Sequence, residues 1–279
     1  MDWDQKLMSG FKATSSITPK YRNDQNQKQA IAILYPGKNM KQTVNNYTSL
    51  TDNYISNKLP HGTSSSPKGL IFHIIEENSR PIEVLDIGFG AGELGQLIKA
   101  NRETSHWEVD GIDGLDANCY NKKLIDKSIY RNLWHGLAQE MPSEAISKYD
   151  IICLLDVIEH LGPETAKYLL RNLLTSMGEN SFLFVSTPLW FYPQDQIQEG
   201  DLEEHLIGVP ASSMMALLPV AYSIANPLIG GFIYTKRSLK VVDFFQPTTD
   251  KKFTYETGMS IAKSLNMALQ PGTLCRTNI

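Results

Sequence analysis

Between residues 66 and 240 two hydrophobic patterns alternate along the chain. Short aliphatic runs at Glu83–Ile87, Trp107–Asp113, Ile129–Trp134, Tyr149–Leu155 and Phe182–Thr187 carry apolar residues on both faces and read as strands covered on both sides. Between them, apolar positions recur every three or four residues. Ala166, Leu169, Leu170, Leu173, Leu174 and Met177 form one such helical stripe, with Pro163 to open the helix and Gly178 to close it. Leu94, Leu97 and Ile98 predict another helix. Ser66-Pro67 starts a third, striped by Leu70, Ile71, Ile74 and Ile75. Met214–Leu218 predicts a short helix, and Val220–Ala225 pairs with Leu228–Tyr234 around Asn226-Pro227. Strands alternating with helices predict an α/β fold, a parallel sheet with helices on both faces.

The flanks break this pattern. Residues 1–65 form a polar N-terminal extension whose one apolar cluster, Ala30–Tyr35, ends at the turn signal Pro36-Gly37. The extension is expected to be partly disordered, or to cap the open face of the domain at 66–240. Residues 241–279 read as a polar C-terminal tail.

Composition narrows the classes. The 279 residues carry a formal charge of −4, which disfavours general nucleic-acid affinity, since that needs a basic footprint. Cys119, Cys153 and Cys275 have neither paired nor metal-like spacing, so a reduced, cytoplasmic protein is expected. Met1-Asp2-Trp3-Asp4 lacks the layout of a signal peptide. The longest apolar stretch, Val209–Ile233, is broken by Pro210, Pro219, Asn226 and Pro227, so no membrane span is expected.

The most informative stretch is Glu83-Val-Leu-Asp-Ile-Gly-Phe-Gly-Ala-Gly-Glu-Leu-Gly95. Gly88, Gly90 and Gly92 follow a buried strand and precede a helix, so the backbone turns tightly and its N–H groups stay open to a ligand. A dinucleotide fingerprint needs a third small residue where this chain has Glu93, a negative charge at the pyrophosphate seat. An NAD-dependent oxidoreductase is therefore disfavoured. Strand two ends in Gly111-Ile-Asp113. An acid there can accept both ribose hydroxyls of a nucleoside, while Asp116 is the better N-cap for the segment that follows.

These residues resemble the class I S-adenosylmethionine-dependent methyltransferases, over residues 66–240. The resemblance implies a seven-stranded, mostly parallel sheet of Rossmann-like kind, with its last strand antiparallel and S-adenosyl-L-methionine as cofactor. Asp86 and the three glycines would then hold the cationic amino-acid end of the donor, and Asp113 its ribose. His135-Gly-Leu-Ala-Gln-Glu-Met-Pro142 resembles the family segment that edges the adenine, with Leu137 in place of the usual acid. Leu137 would pack on the ring, and the N–H groups of Leu137 or Ala138 would reach its edge.

After strand four, Asp156-Val-Ile-Glu159-His160 would share one face if the backbone turned helically. The segment is similar to the E-V-L-E-H of small-molecule methyltransferases, such as the ubiquinone-pathway O-methyltransferases. The chain lacks the N/D-P-P-Y segment of enzymes that methylate DNA amino groups. It also lacks a Pro-Cys nucleophile, Cys153 lying inside an apolar strand. After strand five, a loop carries Trp190 and Tyr192 and then an acidic run to His205. Aromatic rings beside acids suit a polyhydroxylated or cationic acceptor.

The resemblance implies methyl transfer to an oxygen, with nitrogen the lesser reading, of a small molecule or glycan. The donor is already activated, so the protein aligns the reactants and removes a proton. His160 or His205 is the expected base, oriented by Asp156 and Glu159. A divalent metal on Glu159, His160 and His205 is the less favoured route; plant-type small-RNA 2′-O-methyltransferases, whose acceptor is RNA, share that pattern. A non-catalytic binding module is opposed by the intact donor residues.

Overall fold

The aliphatic runs become the centre of one twisted sheet. The computed structural model describes residues 41–45, 66–73, 82–197, 199, 201–225, 229–252, 254–264 and 274–276, all within one compact unit, Tyr35–Ile279. Its strands are β1 (Lys41–Asn45), β2 (Glu83–Ile87), β3 (Glu108–Asp113), β4 (Asn132–His135), β5 (Ile151–Leu155), β6 (Phe182–Pro188), β7 (Ala221–Ala225), β8 (Ile229–Tyr234) and β9 (Leu274–Arg276). They lie in the order β1-β4-β3-β2-β5-β6-β8-β7-β9. The strands from β4 to β6 in that order run parallel, and β8 runs antiparallel to both β6 and β7. This is the expected seven-stranded, mostly parallel sheet of Rossmann-like kind.

Two further strands extend it. β1 pairs antiparallel with β4, and β9 pairs antiparallel with β7. Neither segment carries a long aliphatic run, because a short edge strand is held by ladder hydrogen bonds to one neighbour and need not be covered on both faces. The expectations for Ala30–Tyr35, Pro36-Gly37, Ile74, Ile75, the Asn226-Pro227 turn and, apart from β1, disorder or capping by residues 1–65 lie outside the described residues.

The helices form where apolar spacing and capping agree. Helix α1 (Glu93–Ala100) buries Leu94, Gly95 and Ile98. Helix α2 (Pro163–Ser176) starts with proline in its first turn and buries Ala166, Leu169, Leu170, Leu173 and Leu174. Each of those leucines contributes about 2 kcal/mol of burial. The helix expected after Ser66-Pro67 is a 3₁₀ helix, Lys68–His73, anchored by buried Leu70 and Ile71. The short helix expected at Met214–Leu218 is Ala211–Met215, because Leu218 turns to φ 55° and cannot continue it. The strand expected from Ile129 begins at Asn132, since Ser128 turns at φ 50° and Arg131 N–H first joins the ladder at the Val109 carbonyl. Among the described residues no helix is long and apolar enough to cross a membrane.

At the N-terminal ends of β2 and β3 the polar residues are mutually satisfied. Arg131 bridges Glu83 (2.6 Å) and Asp110 (2.6 Å). Asp110 also accepts from Asn132 Nδ2 at 2.9 Å and from the Tyr149 hydroxyl at 3.0 Å. Full pairing of this kind is what buried acids need.

Candidate functional site

From β2 the chain steps outward to β3 and β4, then returns to β5 on the other side of β2. Loops leaving the carboxyl ends of strands diverge at such a switch point and leave a crevice. A cleft of about 530 Å³ lies there.

The glycine loop forms one wall. Gly88, Gly90 and Gly92 have φ of 67°, 53° and 77°, the left-handed region that only glycine enters freely. At Gly88 space is limiting too: a Cβ would lie 2.4 Å from Val157 Cγ2. The glycine loop thus packs directly on the segment after β5. Asp86 is buried, and its Oδ2 accepts from the Tyr130 hydroxyl at 2.8 Å. Burial pushes its carboxyl up to about 7; Asp113 adds repulsion, while the Tyr130 hydrogen bond and the Lys68 charge act the other way.

Asp113, at the end of β3, ties the loops of this wall together. Its Oδ2 accepts from Gly90 N–H (2.9 Å) and Asn118 Nδ2 (3.1 Å), and its Oδ1 accepts from Leu115 N–H (2.8 Å). Asp116 is the first helical residue and Leu115 the N-cap, so Asp116 does not cap that helix as expected; Asp113 holds the entry to it through the Leu115 N–H. Leu137 and Ala138 line the cleft beside Gly136, whose N–H bonds the Asp113 carbonyl. Leu202, from the acidic loop, comes over the same spot: a Cβ on Gly114 would meet Leu202 at 2.4 Å and Leu137 at 3.0 Å.

The other end of the cleft holds Glu159, His160 and His205, each offering one ligand atom within 4.8 Å of the others. Two backbone bonds bring these distant residues together, from the N–H groups of Leu206 (2.8 Å) and Ile207 (3.2 Å) to the Glu159 carbonyl. His160 Nδ1 lies 3.2 Å from the Glu204 carbonyl, and His205 Nδ1 lies 2.6 Å from the Tyr192 carbonyl. A carbonyl only accepts, so each Nδ1 carries the hydrogen and each Nε2 presents its lone pair. Burial lowers the pKa of His160, and burial followed by His160 lowers that of His205 to about 4. Burial raises the Glu159 carboxyl well above its ordinary range, with Asp156 next, although Thr187 Oγ1 donates to it at 3.1 Å.

The structure therefore brings together Asp86, Gly88, Gly90, Asp113, Leu137, Ala138, Asp156, Glu159, His160, Tyr192 and His205 along one cleft. Three expectations change. No helical turn spans residues 156–160: Asp156 sits at φ 52°, Val157 is extended in φ at −125°, and only Ile158–His160 turn, as 3₁₀. Asp156 consequently faces Ser186, whose hydroxyl donates to it at 2.7 Å, and it is not one of the three clustered ligands. Trp190 does not line the cleft. It is half-buried between Leu189 and Phe191, which enter the core and fix the chain on either side of it. Gly92 also stands back from the cleft, packed on Leu124.

Sequence reasoning missed Lys68, Tyr130, Asn118 and Leu202; Glu203 belongs to the acidic run expected before His205. Lys68, Asn118, Leu202 and Glu203 line the cleft, and Tyr130 holds Asp86. None of the missed residues lies in a motif; only Lys68, next to the helix-start signal Ser66-Pro67, had a local cue.

Residues 67–240 match a family described as a methyltransferase domain. No curated protein matches the chain. Among solved structures, the chain is similar to the YcgJ protein of Bacillus subtilis, with 19% identity over 46% of this chain and 52% of that one, and a TM-score of 0.36. The PH0226 protein of Pyrococcus horikoshii OT3 shares 14% identity over 60% of this chain and 86% of its own, with a TM-score of 0.45. An O-methyltransferase family protein from Burkholderia thailandensis shares 10% identity over 59% and 54%, with a TM-score of 0.42. The chain thus spans about half the length of YcgJ.

Proposed function

The chain belongs to the methyltransferase domain family over residues 67–240, and from that premise we propose that it transfers a methyl group from S-adenosylmethionine to a hydroxyl oxygen of a small molecule or glycan. One observation carries this reading. A single cleft joins the glycine loop and Asp113 at one end to Glu159, His160 and His205 at the other, and it is lined by six carboxylates: Asp86, Glu93, Asp113, Asp156, Glu159 and Glu203. A donor with a sulfonium and an ammonium group is the ligand such a wall attracts. A phosphate-rich acceptor is the one it repels, which sets RNA aside. Glu93, which disfavours a pyrophosphate, is ion-paired with Lys68; the position is still filled by a long side chain where a dinucleotide needs a small one.

The donor is bound by its two ends. Asp86 and the backbone of Gly88 and Gly90 face its amino-acid end. Asp113 takes the ribose, whose hydroxyls compete with the Asn118 amide for Oδ2. Leu137, Leu115 and Leu202 give the adenine apolar faces. The acceptor hydroxyl comes to the Glu159, His160 and His205 end, with Tyr192 beside it, its ring 5.8 Å from that of His205. With each Nδ1–H held by a carbonyl, the Nε2 lone pair of His160 or His205 is the proton acceptor. Asp156 and Glu159 position that end of the cleft.

A second reading of the same step is favoured by the ligand geometry. Two Nε2 lone pairs and a buried carboxylate within 4.8 Å form a donor set with hydrogen-bonded outer nitrogens, which is how metal-bound histidines are held. The lowered histidine pKa values fit neutral ligands better than strong bases. Glu159, His160 and His205 would hold the ion, and mixed nitrogen and oxygen donors suit Mn, Fe or Zn over Mg. A bound divalent cation would lower the pKa of the acceptor hydroxyl.

Titration calorimetry with S-adenosylmethionine and S-adenosylhomocysteine tests the donor, and S-adenosylhomocysteine release across a panel of hydroxyl-bearing small molecules and sugars tests the reaction. No heat with either nucleoside would end the proposal. The lack of a Cys pair among described Cys119 and Cys153, both buried as free thiols, supports a reducing, cytoplasmic setting for it.

A further inference from the structure

The acidic loop closes on itself. A Cβ on Gly208 would lie 2.8 Å from the Phe191 nitrogen, so the loop 191–208 leaves and rejoins the domain at one point, as compact surface loops do. From there it sends Tyr192, Gln194, Leu202, Glu203 and His205 into the cleft. His205 is held within the loop at two points. Its N–H donates to the Gln194 carbonyl at 3.0 Å, and its Nδ1 lies 2.6 Å from the Tyr192 carbonyl.

The grip on this closure comes from beyond residue 240, where the family match ends. Thr248 and Gly208 exchange both backbone bonds, at 2.8 and 2.9 Å, and Thr254 pairs with Phe191 in an isolated parallel bridge. Between them Lys251 Nζ stands 5.0 Å over the Phe191 ring, a cation–π contact. The gripping residues are themselves tied to the body on both sides. Before them, the Gln246 N–H donates to Ser213 Oγ at 2.7 Å, next to buried Phe245. After them, Thr254 Oγ1 accepts from the Thr257 N–H at 3.2 Å and caps the helix Tyr255–Ser264. Neither Thr248, Lys251 nor Thr254 lines the cleft.

Resting on the acceptor reading above, we infer that Thr248, Lys251 and Thr254 are positioning residues of the acceptor site, setting the place of His205 and Tyr192 by gripping Gly208 and Phe191. Phe191 adjoins Tyr192, whose carbonyl orients the His205 ring. Gly208 adjoins Ile207, whose N–H donates to the Glu159 carbonyl at 3.2 Å. Both attachments that bring His205 to Glu159 and His160 thus begin at a gripped residue. Apolar packing of Phe191 and Phe245 would keep the tail against the domain, whereas a two-bond backbone pair also fixes the register of the loop. Register matters here because a displacement of about 1 Å at a reacting group costs on the order of 10²-fold in rate. The tail therefore governs turnover without touching either reactant.

The His205 ring reports on the grip directly. Nitrogen NMR of isotopically labelled histidine rings in the full chain shows which nitrogen carries the hydrogen, and His205→Asn assigns the signal. The spectra are taken at about pH 8, where imidazoles are neutral, with EDTA present so that no ion holds Nε2. Wild type should show His205 with its hydrogen on Nδ1 alone. Thr248→Pro, which deletes the donor to the Gly208 carbonyl, should mix in the other tautomer as the Tyr192 carbonyl moves away. Thr248→Ser keeps the N–H and the hydroxyl and should match wild type. Lys251→Met should show the same mixing to a lesser degree, and Lys251→Arg should restore the wild-type spectrum. Titration calorimetry with S-adenosylhomocysteine should give the wild-type affinity in all four variants. An unmixed Nδ1–H tautomer in Thr248→Pro, or in Lys251→Met should the proline chain not fold, would overturn the inference. So would a parallel loss of S-adenosylhomocysteine affinity in the folded variants, which would mark general disruption. Failure of wild type to bind S-adenosylhomocysteine would instead overturn the methyl-transfer reading on which it rests.

Discussion

The two ends of the sheet treat their acids in opposite ways. At the N-terminal ends of β2 and β3, Glu83 and Asp110 are closed by Arg131, with Asn132 and Tyr149 completing the set. At the C-terminal ends of the same two strands, Asp86 and Asp113 accept from hydroxyl, amide and N–H donors, and no arginine among the described residues lines the cleft beside them. Further along the cleft, Glu159 is buried with Thr187 and repelled by Asp156. Both ends bury carboxylates in one sheet. One end is finished by the protein; the other is lined by more acids than bases, and under the proposed function a cationic ligand completes it. Charge left uncompensated in a crevice is a better sign of function than charge itself.

The contrast breaks most sharply at the acceptor end. His160→Ala, His205→Ala and Glu159→Gln should each slow single-turnover methyl transfer by ~10²–10⁴-fold while barely changing donor affinity. Under the metal reading, EDTA should do the same to wild type, and a divalent cation should restore it. A chelator-insensitive enzyme that needs one histidine alone would leave that histidine as the base. Wild-type rates in all three variants would make these residues loop-tying structure.

Next in size is the closed end. Arg131→Met should lower stability by about 3 kcal/mol, the low end for a broken buried pair. The discount arises because the Arg131 and Glu83 side chains keep 32% and 33% exposure. Denaturant unfolding measures this, and donor titration on the same sample should show little change. An equal effect on binding would erase the distinction between the two ends.

Asp113→Ala reads the same comparison from the open end. Donor affinity should fall by about 1.5–3 kcal/mol, the usual worth of hydrogen bonds to a charged group. Unfolding should show a smaller loss, because Leu115 N–H, Gly90 N–H and Asn118 also lose their acceptor. Unchanged affinity would remove Asp113 from the donor site.

The smallest expected effect is on pH. Asp86, with a carboxyl raised to about 7 in the free protein, must be ionised to face an ammonium group. Donor affinity should therefore fall below pH 7 by up to about tenfold per unit, and level off above it. Tyr130, Asp113 and Lys68 are the groups that set its pKa besides burial. Stability runs the other way. The folded pKa lies above the unfolded value, so the protonated acid favours the fold; that contribution is complete below the unfolded pKa and is lost as pH rises through about 7. Titration calorimetry at several pH values, in buffers of different ionisation heat, would show the proton released on binding. A flat profile would mean that Asp86 does not meet the ammonium.

Residue order alone determined the parallel core and the glycine loop. Val84, Leu85 and Ile87, then three glycines, then the stripe of α1 are contiguous, and each obeys a local rule: burial on both faces, left-handed turning, helical period. The positions after the strands were legible for the same reason, since a parallel sheet puts every strand's carboxyl end on one side. The edge strands β1 and β9 were not legible, because pairing at an edge leaves no apolar signature. Nor was the meeting of Glu159 and His160 with His205, which depends on two backbone bonds to the Glu159 carbonyl across a long loop. Asp156 turning away at φ 52° to Ser186, and Lys68 arriving from outside every motif, were likewise settled by packing. Contacts between segments far apart in the chain follow from how its helices and loops close over the sheet, and local pattern carries no record of them.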